Sequence, residues 1–127
     1  MRVVALDFGS ARTGVAVSDE TRTLARPVCV VERAATEPGL HRLAALVAEH
    51  DAELVVVGLP LTLKGERGEQ ARATEAFVEI LRERLSVPVE TEDERFTTDL
   101  AQQSGGTAPE DAVAAAYLLQ GWLERER

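Results

Sequence analysis

The sequence predicts an α/β fold: a five-stranded mixed sheet, three antiparallel strands followed by parallel ones, flanked by helices. Three observations predict it. Three short β-rich runs fall within the first 32 residues, too close together to admit helices between them. Beyond them, stretches of helical periodicity alternate with apolar runs, the pattern of parallel strands joined by crossover helices. One such run, Leu54-Val55-Val56-Val57, is apolar without interruption, as expected of a central strand buried on both faces.

Taken in order, residues 3–8 read as a buried strand and Thr13 to Val17 as a second, after the turn Gly9-Ser10-Ala11. Pro27 to Glu32 is a third, completing a meander. Leu40, Leu43, Ala44 and Val47 share one helical face between Pro38-Gly39 and Asp51. After the central strand, a loop from Pro60 to Gly68 leads into a long helix whose Thr74, Phe77, Val78, Leu81 and Leu85 lie on one side. Ser86 to Glu92 forms the fifth strand, and a short helix of about Thr97 to Gln103 ends at Gly105-Gly106. The last helix starts at Pro109, where Thr107 through Glu110 matches a capping box. Its buried stripe is Ala112, Ala115, Ala116, Leu119 and Leu123. The order is β-β-β-α-β-α-β-α, with the short helix before the last, in one domain spanning residues 1–127.

Composition narrows the chemistry. Hydrophobic residues make up 45% and charged residues 28%, a globular balance with no apolar run of membrane-spanning length. An acid at position 7 stands too early for a signal peptide, and Cys29 has no partner for an internal disulfide, so a cytoplasmic location is expected. One Cys and two His (His41 and His50) argue against a zinc site. Net charge is −8 and the pI about 4.8, which argues against bulk electrostatic attraction to nucleic acid. A local basic surface, or one neutralised by metal, stays open.

Three acids stand where strands end or a helix begins: Asp7, Glu94 and Asp111. Gathered carboxylates repel one another and resist burial without partners. A hard divalent cation relieves both difficulties, so metal-assisted phosphoryl chemistry is the first expectation.

Four segments together resemble the YqgF/RuvX-type family of the RNase H-like superfamily. They are Ala5-Leu6-Asp7-Phe8-Gly9-Ser10-Ala11-Arg12-Thr13-Gly14-Val15-Ala16-Val17-Ser18-Asp19; Val57-Gly58-Leu59-Pro60 with Gly65, Gly68, Gln70 and Ala71; Asp93-Glu94-Arg95-Phe96-Thr97-Thr98; and Asp111-Ala112-Val113-Ala114-Ala115 with Leu119-Gln120. They follow the family's order and span nearly the whole chain. The resemblance implies an RNase H-like fold and an endonuclease acting on structured nucleic acid, either a four-way (Holliday) junction in DNA or the precursor of 16S ribosomal RNA. It also implies that Asp7, Glu94 and Asp111 are catalytic and ligate Mg²⁺ or Mn²⁺, with paired ions about 4 Å apart. Two departures remove positive charge: Asp99 to Glu110 contains no Lys or Arg, and Ala11 stands where the family often has a basic residue.

Each assignment has a structural rival. Asp before Gly is a common turn residue, so Asp7 could simply cap its turn. Asp93 competes with Glu94, and because neighbouring strand residues face opposite sides only one can enter the site. An acid in the first helical turn also answers the helix dipole, which would account for Asp111 unless it points at Asp7. Arg12, Lys64, Arg67, Arg72 and Arg95 are candidate phosphate contacts, Arg12 foremost because it follows Asp7's turn; each could equally be a solvated cation. Thr97 is a further substrate contact or an N-cap. Without a catalytic His, Ser10 does not suggest Ser-His-Asp chemistry. Trp122 and Phe77 fit core or dimer packing. Asp7-Phe8-Gly9 also resembles the phosphate loop of actin-like ATPases, which need two such domains. A non-catalytic RNase H-like module binding ribosomal or repair proteins is the alternative function. Junction resolution needs two coordinated cuts and so predicts a homodimer; rRNA trimming does not.

Overall fold

A computed structural model of the chain describes residues 1–9, 11–60, 68–93 and 110–126. Strands β1 (Arg2–Asp7), β2 (Arg12–Ser18) and β3 (Ala25–Glu32) form the meander. Helix α1 (Glu37–Glu49), β4 (Ala52–Leu59), α2 (Glu69–Arg84), β5 (Val89–Asp93) and α3 (Glu110–Arg125) follow. The sheet runs β3-β2-β1-β4-β5. β1 pairs antiparallel with β2, and β2 with β3, while β4 lies parallel to both β1 and β5. This is the predicted five-stranded mixed sheet, three antiparallel strands followed by parallel ones. Among the described residues no helix is long and apolar enough to cross a membrane.

Local chemistry sets the boundaries. Thr36 caps α1, its hydroxyl accepting from the Gly39 amide at 3.4 Å, and Pro38 sits in the first turn. β5 starts three residues later than expected. Pro88 has no amide to give the ladder, and its carbonyl, accepting from Val55 N at 3.0 Å, is the last tie before regular pairing begins at Val89. β3 starts earlier than expected because a side chain substitutes for a strand. Gln120 of α3 accepts from Ala25 N at 2.9 Å and donates to the Thr23 carbonyl at 3.0 Å. The expected helix at 97–103 and the capping residue Thr107 lie outside the described residues.

The sheet separates two cores. On one face Val4, Leu6, Val15, Val17, Val55 and Val57 pack against α1 and α2, with Phe77 fully buried. On the other, Val3, Ala5, Ala16, Leu54 and Val56 meet Ala115, Leu118, Leu119, Trp122 and Leu123 of α3. Phe77 and Trp122, expected in core or dimer packing, are thus core residues. The small Ala112 and Ala115, both fully buried, let the α3 backbone come close to the sheet. Strand alternation then fixes which way the functional residues face.

Candidate active site

β1 carries Val3 and Ala5 toward α3, so Asp7, next in that alternation, leaves the end of the strand on the α3 face. Phe8 turns the other way and stacks on Phe77 of α2, ring centroids 4.2 Å apart. Its carbonyl accepts from the Gln70 side chain at 3.3 Å. These two contacts pin the backbone that follows Asp7 from the opposite side of the sheet.

Asp7 pairs with Gly14 on β2, and its β1 neighbour Leu6 pairs with Val57 on β4. The next β4 residue, Gly58, pairs with Glu92 on β5. The row at this end of the sheet is therefore Gly14, Asp7, Gly58, Glu92, with strands about 4.8 Å apart. Neither immediate neighbour of Asp7 in that row carries a side chain. The first turn of α3 comes down directly on Gly14: a Cβ built there would stand 1.8 Å from the carbonyl oxygen of Asp111. Asp7 and Asp111 are thus brought to one strand end across a single glycine.

Arg12, the first residue of β2, reaches the same place. Its Nε lies 3.3 Å from Oδ2 of Asp111, with the Arg side chain 66% and the Asp side chain 36% exposed. A pair that open to water is worth at most about 1 kcal/mol, so its interest is positional. It holds a guanidinium beside a carboxylate at the mouth of the site. The register also separates the acids of β5. Val89 faces the α1–α2 core, so Thr91 and Asp93 share that side and Glu92 faces α3, where it ion-pairs with Arg125 at 2.7 Å. Asp93 therefore stands on the opposite face of the sheet from Asp7.

Arg72 is not brought to the site. Gln70 turns toward β1 and Thr74, one turn on, is buried, so Arg72, roughly 200° around the helix from Gln70, faces solvent away from the sheet. Glu94, Lys64, Arg67, Arg95 and Thr97 lie outside the described residues. Sequence reasoning did not single out Gly14, Phe8, Gln70 or Glu92 as site residues. Gly14 left a usable signal, since a glycine inside a strand often marks close approach of another backbone.

With this geometry in view, comparison with known proteins is direct. The sequence profile of the family described as "RuvX: Holliday junction resolvase" matches residues 1–125. A protein of Anaeromyxobacter sp. (strain Fw109-5) named "Putative pre-16S rRNA nuclease" is 42% identical over 133 residues, covering 98% of this chain and 97% of that one. A relative of the same name from Rhodococcus erythropolis (strain PR4 / NBRC 100887) is 43% identical over 141 residues, covering 99% and 80%. Among solved structures, the Fowlpox virus resolvase in complex with Holliday junction DNA superposes with a TM-score of 0.61 at 12% identity, over 99% of both chains. T. thermophilus RuvC with its Holliday junction substrate gives 0.56 at 19%, over 99% of this chain and 96% of that one. At those identities the two structures speak to the fold, which they share with this sheet. The near-complete profile match and the full-length relatives settle the kinship: this chain belongs to the RuvX family.

Proposed function

We propose that this protein is a divalent-metal-dependent endonuclease that hydrolyses phosphodiester bonds in structured nucleic acid. The observation that carries the reading is the meeting of Asp7 and Asp111 on one face of one strand end, across Gly14. A turn cap or a dipole-matched helix acid would have no reason to converge with the other. Kinship adds support, since the relatives are named as nucleases and the fold neighbours as resolvases.

The donor set suits a hard cation. Carboxylate oxygens are what Mg²⁺ and Mn²⁺ take, and Asp7 and Asp111 offer them from two elements whose backbones the core holds fixed. Among the described residues no group of three His, Cys, Asp or Glu could hold an ion alone; Glu94, beyond those residues, is proposed as the third donor. The family resemblance implies a pair of ions, Mg²⁺ or Mn²⁺. When bound, such a metal supplies an activated water and neutralises charge on the scissile phosphate. Asp7 and Asp111 would hold and orient it. Arg12 exchanges its contact with Asp111 for a phosphate oxygen of the substrate, a charge-assisted hydrogen bond of the stronger kind.

Between substrates, precursor 16S rRNA is favoured over junction DNA. Relatives named for the former match this chain over 97% and 80% of their own length and are more than 40% identical, while the junction is named by the family profile over residues 1–125 and is therefore tested beside it. Asp7→Asn should abolish Mn²⁺-dependent cleavage and leave the circular dichroism spectrum unchanged. The net charge of −8 motivates a second reading, a non-catalytic binding module; wild-type protein that cuts neither RNA nor junctions with Mn²⁺ would favour it.

A further inference from the structure

We propose that Gly14 is a positioning residue: by carrying no side chain, it sets the separation between Asp7 and Asp111 and hence the affinity of the site for a divalent cation. This rests on the reading of those two acids as metal ligands. Gly14 lies inside β2, paired with Asp7 on one side and Val30 on the other. Its φ lies outside the left-handed region, so conformational freedom is not why glycine stands there. Space is. A Cβ would meet the Asp111 carbonyl oxygen at 1.8 Å, the Asp111 carbonyl carbon at 2.3 Å and the Ala112 nitrogen at 2.8 Å.

All three obstacles are backbone, which cannot swing aside as a side chain can. Real Cβ contacts essentially never fall below 3.0 Å, so any residue larger than glycine must push the start of α3 off the sheet. The rest of the helix is held by Ala115, Leu118, Leu119, Trp122 and Leu123 in the core. The displacement therefore concentrates in the first turn, where Asp111 is. Asp7, fixed on the other side by the Phe8–Phe77 stack, does not follow. The two carboxylates part.

A double-mutant cycle read by Mn²⁺ affinity tests this, with titration calorimetry on the full chain and no nucleic acid present. Gly14→Ala should weaken Mn²⁺ binding by about tenfold or more, the usual loss when a group orienting a ligand is removed. Asp111→Glu alone should also weaken it, because the added methylene moves the carboxylate about 1.5 Å from where the wild-type side chain sets it against Asp7. Combined, they should bind more tightly than either single variant, since glutamate adds about 1.5 Å of reach toward the retreating site. Trp122 fluorescence and far-ultraviolet circular dichroism report whether α3 stays docked. Wild-type affinity in Gly14→Ala overturns the proposal, as does failure of Asp111→Glu to restore binding in its background. If Gly14→Ala does not fold, Asp111→Glu decides alone, and undiminished affinity there overturns it. Asp7→Asn separates the two levels: if it binds Mn²⁺ like wild type, the metal reading itself fails; if it does not, the Gly14 result stands or falls independently.

Discussion

Beside Gly14, Thr13 is fully buried, and its hydroxyl oxygen has no hydrogen-bond partner among the described residues. A buried hydroxyl that has given up water without replacement costs roughly 1–3 kcal/mol. Thr13→Val keeps the shape and removes the polar atom, so it should raise stability by about 1 kcal/mol in chemical denaturation. Arg12 predicts the opposite division of effects. Its exposed pair with Asp111 contributes at most about 1 kcal/mol to folding, so Arg12→Gln should barely move the unfolding midpoint while raising KM for nucleic acid. At this scale the sequence marked Asp7 as a strand-terminal acid ahead of a glycine turn inside a full motif, and strand alternation places it on the α3 face. Asp111 was less legible: the helix dipole asks for the same residue at the same place, and only its approach to Gly14 distinguishes the two. Arg72's place on the exposed side of α2 was not legible until the facing of that helix was known.

The elements followed from periodicity where the pattern was long, as in α2 and β4, and slipped where one residue's chemistry overrode it. Pro88 delayed β5, and Gln120, ninety-five positions from Ala25, extended β3 in a way no local pattern could reveal. One carboxylate ties the end of the β2–β3 loop back to its start. Asp19 Oδ1 accepts from Thr23 N at 2.8 Å and Leu24 N at 3.2 Å. The Thr23 amide chiefly holds the Asp19 carboxyl below its ordinary 3.8. A carboxyl with a lowered folded-state pKa stabilises the fold above 3.8 and loses that contribution as pH falls below it. Asp19→Asn should therefore be less stable than wild type at about pH 7, and the gap should close as acid is added toward about pH 2.5. Parallel thermal melts across that range check it; a gap that widens in acid contradicts the assignment.

For the molecule as a whole, the mixed sheet and its order of elements were legible because the meander is short-range and the crossovers are helical. The sheet's end, where Asp7, Gly14 and Asp111 meet, was legible only as a set of separate residues, since it joins positions more than ninety residues apart. Charge remains the feature that least resembles a nucleic-acid enzyme. At −8, the proposed binding would lean on a metal and a few cations such as Arg12, rather than on a broad basic face. The most direct test of the central claim is a side-by-side cleavage assay on precursor 16S rRNA and four-way junction DNA, with Mg²⁺ and with Mn²⁺, comparing wild type with Asp7→Asn. Metal-dependent cutting by wild type, stronger on the rRNA precursor and abolished in Asp7→Asn, is the predicted result; undiminished cutting by Asp7→Asn would contradict it.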